Sequence, residues 1–138
     1  MKEVSVIVPN KVGALAEIAE VLGNEGINII SISAMGVGDT GVIRLITSDE
    51  RTAMNVLTKH ISTKKDKYEV RIGDVLVVTI LDKPGELAKV TKKIAKLGIN
   101  VESVYQIKKE GGHTDIVIKP EKVAEALTEL KKDRKSVV

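Results

Sequence analysis

Two short stretches of the sequence could hold a small anion. They are residues 10–15, Asn-Lys-Val-Gly-Ala-Leu, and residues 82–87, Asp-Lys-Pro-Gly-Glu-Leu. Each follows an apolar run and precedes an amphipathic helical pattern, which predicts a tight turn from a strand into a helix. A helix start carries unpaired backbone N–H groups and a partial positive charge, so it suits a carboxylate. For one such turn alone, a purely conformational role of the glycine is the better interpretation.

The two stretches belong to an internal repeat. Gly13 and Asn28 recur as Gly85 and Asn100, and both pairs lie 72 residues apart (85 − 13 and 100 − 28). The same offset relates Leu15 to Leu87 and Gly26 to Gly98. A constant offset over two separate blocks indicates a duplicated unit. The doubled turn, with asparagines at matched positions, favours a binding role.

In each unit the hydrophobic pattern predicts the order strand, helix, strand, strand, helix, strand, which is the ferredoxin-like plan. The predicted strands are residues 4–9, 27–35, 42–47 and 68–72 in the first unit, and 75–81, 99–107 and 115–118 in the second. Helices are predicted from Gly13, after the capping pair Ser48-Asp49, over residues 87–97, and from Pro120 to Leu130. Only residues 136–138 remain for a fourth strand in the second unit, so that strand is predicted to be short or missing.

The predicted fold class is therefore α+β, with two tandem βαββαβ units and antiparallel sheets. The predicted domains are residues 1–73 and 74–138. We expect the two sheets to join side by side into one larger sheet with helices on one face.

Composition excludes several classes of function. The 138 residues include no cysteine, phenylalanine or tryptophan, and the net charge is only +3. Disulfides and thiolate sites are absent, and a nucleic-acid binder would need more basic charge or aromatic stacking platforms. The lysine-rich runs 64–67 and 131–135 indicate a solvated linker and tail. Without a membrane span or a signal peptide at the N-terminus, we expect a cytoplasmic protein with no membrane or nucleic-acid partner.

No catalytic set is evident, and we expect neither enzymatic activity nor a cofactor. His60 lies near a predicted helix end, and His113 lies in a hairpin turn. A metal site that combines His113 with Glu110 or Asp115 is a weak hypothesis, because one loop histidine is usually solvated. The glycine-rich stretch 36–41 joins two strands and not a strand to a helix, so it lacks the mechanism of a phosphate loop.

The second strands of the two units differ in polarity. Ile30, Ile32 and Ala34 in the first unit correspond to residues 102, 104 and 106, which are Glu, Val and Gln. Either another chain covers this apolar face of the first unit, or the strand is bulged and these residues belong to the core.

Both units resemble ACT domains, the small regulatory modules that bind amino acids. The resemblance rests on residues 10–15 and 82–87, the latter an Asp-x-Pro-Gly-x-Leu turn, and on the Gly-Ile-Asn stretches 26–28 and 98–100. It covers residues 2–130. It implies a four-stranded antiparallel sheet with two helices on one face, and pairing of domains through edge strands. It also implies that the ligand lies at that junction, between a turn of one domain and the start of a second strand, often from the paired domain.

Transferred residue by residue, the resemblance implies two ligand sites. The implied ligand-binding residues are Asn10, Val12, Gly13, Ala14, Leu15, Asn28 and Ile29 in the first unit, and Asp82, Pro84, Gly85, Glu86, Leu87, Asn100 and Val101 in the second. Asp82 would favour an ammonium group and oppose a carboxylate, so the two sites should be unequal. Capping of its own turn is the alternative role of each polar residue, above all of Asp82.

The resulting prediction is a non-enzymatic sensor of a small amino acid that forms a homodimer and signals to a partner enzyme or regulator. The alternative is a structural or assembly module that binds another protein without any ligand.

Overall fold

The computed structural model describes residues 1–65, 67–134 and 136–138. The chain divides into two compact units, one of residues 2–73 and one of residue 1 with residues 74–138. Two residues of the lysine-rich runs, Asp66 and Lys135, lie outside the described residues.

The first unit contains four strands and two helices. They are β1 (Lys2–Pro9), α1 (Ala14–Asn24), β2 (Ile29–Val37), β3 (Thr40–Thr47), α2 (Glu50–Ile61) and β4 (Glu69–Asp74). The strand order in the sheet is β2-β3-β1-β4, and β3 is antiparallel to both of its neighbours. This arrangement confirms the predicted βαββαβ plan.

The core of the first unit follows the two periodicities of the sequence. Val4, Val6 and Val8 alternate along β1 and are almost completely buried. They pack with Ile18 of α1 and Leu57 of α2 in one apolar cluster. Burial of each such side chain contributes about 1.5–3 kcal/mol, so this cluster holds the sheet and its two helices together.

The second unit has the same order of elements. They are β5 (Leu76–Leu81), α3 (Glu86–Lys96), β6 (Val101–Glu110), β7 (His113–Pro120) and α4 (Val123–Lys131), and the strand order is β5-β7-β6. The chain end adds one antiparallel bridge beside β5, between Val78 and Val137. The N–H groups of Val77 and Val138 each donate to the other's carbonyl at 2.9 and 3.1 Å. A short C-terminal segment thus lies where a fourth strand belongs.

One sequence-based expectation was wrong. Pro120 does not begin a helix; it is the last residue of β7, opposite Val101. The register shifts beside this pair, and such an irregularity tolerates a residue without an N–H group. Within the described residues, each unit has an antiparallel sheet of its own.

Within the described residues, no helix is both long and apolar enough to cross a membrane.

Candidate functional site

The turn between β1 and α1 leaves a helix start without a side-chain cap. Gly13 is the N-cap residue of α1, with φ 84° and ψ −6°. Since glycine has no side chain, it forms no capping hydrogen bond of its own. The Ala14 N–H donates to the Lys11 carbonyl at 3.3 Å, and regular helical bonding begins with Glu17 N–H to Gly13 at 2.9 Å. The N–H groups of Leu15 and Ala16, which lie between these two donors, therefore remain available for an anion.

The turn between β5 and α3 repeats this geometry. Gly85 caps α3 with φ 86° and ψ −11° and also lacks a side-chain capping bond. By contrast, α2 is capped by its own Asp49, whose carboxylate accepts from the Thr52 N–H at 3.1 Å. The repeated turns are thus alike in backbone and differ from the self-capped helix.

A cleft of about 190 Å³ opens beside the first turn. Asn10 and Leu15 line one side of this cleft, and Ala34, Gly36 and Gly41 line the other. A cavity of about 150 Å³ accommodates benzene, so this cleft has room for a ligand of small amino-acid size. Of the ligand-binding residues implied for this turn, Asn10, Ala14 and Leu15 line the cleft, whereas Val12 and Gly13 do not. The residues of the opposite side were not among those predicted.

Two glycines of the β2–β3 hairpin let its backbone lie close to side chains of β1 and of the turn that follows it. A Cβ atom on Gly36 would lie 2.6 Å from Nδ2 of Asn10, and one on Gly41 would lie 2.9 Å from Cγ2 of Val8. Asn10 donates from Nδ2 to the carbonyl of Gly38 at 3.0 Å. The amide is thereby oriented with its Oδ1 atom left as an acceptor. The sequence pattern placed both glycines in the turn 36–41, whereas the structure places them in β2 and β3.

The structure does not bring Asn28 and Ile29 to this cleft within the unit. Ile29 pairs with Thr47 and Pro9 pairs with Thr40. These partners lie seven residues apart on β3 (47 − 40), which is about 23 Å along a strand. The turn after β1 and the start of β2 therefore lie near opposite ends of β3.

The same separation holds in the second unit for Asn100 and Val101, because Val101 pairs with Pro120 and Leu81 pairs with His113. The backbone of each asparagine bonds to the segment that follows the neighbouring strand, β3 or β7. Asn28 donates its N–H to the Ser48 hydroxyl at 3.0 Å, and the Asn100 carbonyl accepts from the Glu121 N–H at 2.9 Å.

Charged side chains surround the second turn. Oδ2 of Asp82 lies 3.1 Å from Nζ of Lys109. Glu86, the first residue of α3, is buried and accepts from Lys89 at 3.0 Å. The hydrogen bond from Lys89 lowers the pKa of the Glu86 carboxyl below its usual value. Pro84 and Leu87 are exposed beside them, as Val12 and Leu15 are in the first unit.

The histidines lie outside both turns. His60 is in the last turn of α2, as predicted, and its Nε2 lies 2.7 Å from Oε1 of Glu17. His113 contacts the Gly111 carbonyl through Nδ1 at 3.1 Å. Among the described residues, no group of three His, Cys, Asp or Glu side chains could hold a metal ion.

The exposure of β2 rules out one of the two interpretations of its apolar residues. A bulge does occur between Ile29 and Ser31, but Ile30 and Ile32 are 47% and 43% exposed. The interpretation that they are core residues was wrong. Met35 and Val37 of the same strand are each 62% exposed. Together with Ile30 and Ile32 they form the exposed apolar edge of β2.

A comparison with protein families shows the same organisation. The profile of the ACT domain pair family matches residues 1–134. The chain belongs to this family. This confirms the resemblance that the repeated turns indicated.

Solved structures share the fold of this ACT domain pair. A protein from Bacteroides thetaiotaomicron is 28% identical, with a TM-score of 0.84, over 99% of this chain and 90% of the other. The ligand-free regulatory subunit of aspartate kinase from Thermus thermophilus is 18% identical, with a TM-score of 0.66, over 95% and 91%. The corresponding subunit from Thermus flavus is 20% identical, with a TM-score of 0.63, over 95% and 90%. No curated protein matched the chain.

Proposed function

We propose that this ACT domain pair is a non-enzymatic regulatory protein that binds a small amino acid at the start of α1. The observation that carries the proposal is the uncapped helix start after Gly13, where Ala14 and Leu15 line a cleft of amino-acid size. The regulatory role is supported by the shared fold of the two aspartate kinase subunits, which is an argument from fold alone.

The chemistry of the cleft matches a zwitterion. The carboxylate accepts from the first N–H groups of α1, where the helix dipole also favours negative charge. The ammonium group donates to Oδ1 of Asn10, because Nδ2 of that side chain is already bonded to Gly38. The side chain of the ligand lies against Leu15 and Ala34, so a small apolar or hydroxyl-bearing amino acid fits best.

A second copy of the chain completes the site in this proposal. β2 is an edge strand, and its middle residue is Ser33. If two β2 strands pair antiparallel about that residue, the beginning of one strand lies beside the end of the other. Asn28 of the partner subunit then reaches the hairpin that holds Asn10. This pairing covers the exposed apolar edge and unites the two halves that one unit keeps about 23 Å apart.

A partner enzyme or regulator would receive the signal. Ligand binding between two copies favours the paired state over the separate chains, which is a population shift. The second candidate function is a ligand-independent assembly module, and the exposed apolar edge of β2 is the observation that favours it.

Thermal unfolding in the presence of each of the twenty amino acids separates the two functions. A ligand at 100 times its Kd adds about 2.7 kcal/mol, so at least one amino acid should raise Tm by several degrees. Asn28→Ala should weaken that response, whereas Asn24→Ala, an exposed asparagine at the end of α1, should not. If no amino acid changes the Tm of the folded protein, the sensor function is wrong and the assembly module remains.

A further inference from the structure

We infer that only the first unit binds ligand, because the second unit fills its own equivalent cleft with the charged groups of Lys109 and Glu86. This inference rests on the proposed function and concerns how many sites in the chain are active. The comparison of the two clefts requires knowing which residues occupy equivalent positions in the two sheets.

Strand register identifies those equivalents. Val8 pairs with Gly41 on β3, and the matching residue Ile80 pairs with Thr114 on β7. Across the hairpin, Gly36 pairs with Gly41, and Lys109 pairs with Thr114. Lys109 therefore takes the place of Gly36. The offset here is 73 residues (109 − 36) instead of 72, because β6 has a register shift between Gln106 and Lys108.

The small residues that open the first cleft are larger in the second unit. Ala34 pairs with Ile43, and its equivalent Gln106 pairs with Ile116. Thr114 replaces the buried Gly41 and is itself buried. Its hydroxyl makes no hydrogen bond with the described residues, so it contributes volume to the wall.

The ammonium group of Lys109 is already paired with the carboxylate acceptor of the second turn, Asp82. Asp82 takes the place of Asn10, and its Oδ2 lies 3.1 Å from Nζ of Lys109. An exposed pair of this kind is weak by itself. A tethered group nevertheless acts at an effective concentration on the order of millimolar, and a free amino acid must displace it.

A carboxylate already lies at the start of the second helix. Glu86 takes the place of Ala14 as the first helical residue, and its carboxylate is held by Lys89 at 3.0 Å. The positive end of the α3 dipole therefore has an anion of its own, which repels the carboxylate of a ligand. Lys109 thus takes the place of the ligand's ammonium group, and Glu86 takes the place of its carboxylate.

The backbone of the second turn remains competent for binding. Gly85 has nearly the same dihedral angles as Gly13, with φ 86° against 84°. Side chains alone therefore close the second site, and substitution should reopen it.

Isothermal titration calorimetry tests the inference with the amino acid that gives the largest rise in Tm. The unaltered protein should bind one molecule per chain. The double variant Gln106→Ala/Lys109→Gly should bind additional ligand, approaching two molecules per chain. Lys108→Gly is the control. Lys108 precedes Lys109 on β6 and pairs with Asp115 of β7, so its side chain lies on the other face of the sheet. This variant should still bind one molecule per chain.

Two molecules per chain in the unaltered protein would overturn the inference and leave the proposed function standing. A folded double variant that still binds one molecule would also overturn it. If the double variant does not fold, the stoichiometry of the unaltered protein decides alone. Absence of binding by all twenty amino acids would contradict the proposed function itself, together with this inference.

Discussion

At the scale of residues, glycines shape the site in two different ways. Gly13 adopts a positive φ that other residues rarely adopt, and its sequence context at a strand-to-helix transition made this role predictable. Gly36 has no such φ, but a Cβ atom there would meet the side chain of Asn10. That contact joins residues 26 positions apart (36 − 10), so local sequence patterns could not reveal it.

Two alanine substitutions in and beside α1 should have opposite effects on stability. Gly13→Ala forces a Cβ atom into a left-handed conformation and should lower the free energy of unfolding by about 1–2 kcal/mol. Gly23→Ala lies within the same helix, has open space around it and should raise that energy by about 0.5–1 kcal/mol. Urea unfolding measures both. Stabilisation by Gly13→Ala would contradict the account of the turn.

At the scale of elements, an ion-pair cluster connects the two helices of the first unit. Oε1 of Glu17 on α1 lies 2.7 Å from His60 at the end of α2 and 2.5 Å from Lys64 just beyond it. The hydrogen bonds from Lys64 and then His60 lower the pKa of the Glu17 carboxyl. The sequence predicted the place of His60 at a helix end. Its partner lies 43 residues away, on another element, and periodicity within one helix carries no information about it.

This cluster should make stability depend on pH. The pKa of Glu17 is lower in the folded protein, so its stabilising effect is present above the usual value of 4.5 and is lost as pH falls through the folded value. Glu17→Gln should therefore cost about 0.5–1 kcal/mol at pH 7 and almost nothing at acidic pH, where the native carboxyl is also neutral. Chemical denaturation at several pH values measures this difference.

Glu20→Gln is the matched control, because it removes an exposed carboxylate from the same helix. Its effect should be small at every pH. A cost of Glu17→Gln that stays constant from neutral to acidic pH would show that packing, and not charge, accounts for the contact.

At the scale of the whole molecule, duplication made most of the fold predictable. The constant offset of 72 residues gave the two units and their order of elements. The sequence could not fix the equivalence of the two clefts, because the bulge in β6 shifts the register by one residue. It also could not decide whether the apolar residues of β2 were core or exposed, since both environments favour the same residue types.

The proposed dimer should depend on the edge of the first unit alone. A charge on an edge strand opposes pairing, so Ile32→Lys should convert the dimer to a monomer. Val104→Lys places the same charge at the equivalent position of β6, which already has charged neighbours, and should leave the dimer intact. Light scattering after size exclusion measures both masses. A monomeric unaltered protein, or dissociation by Val104→Lys only, would refute this assignment.

The proposed function requires that the start of α1 binds the carboxylate of a free amino acid. The most direct measurement is an amide NMR titration with the amino acid that most raises Tm. The backbone N–H signals of Gly13 and Leu15 should shift in a saturable manner, while that of Thr52, at the self-capped start of α2, should stay in place. Saturable shifts that leave Gly13 and Leu15 unaffected would contradict the claim.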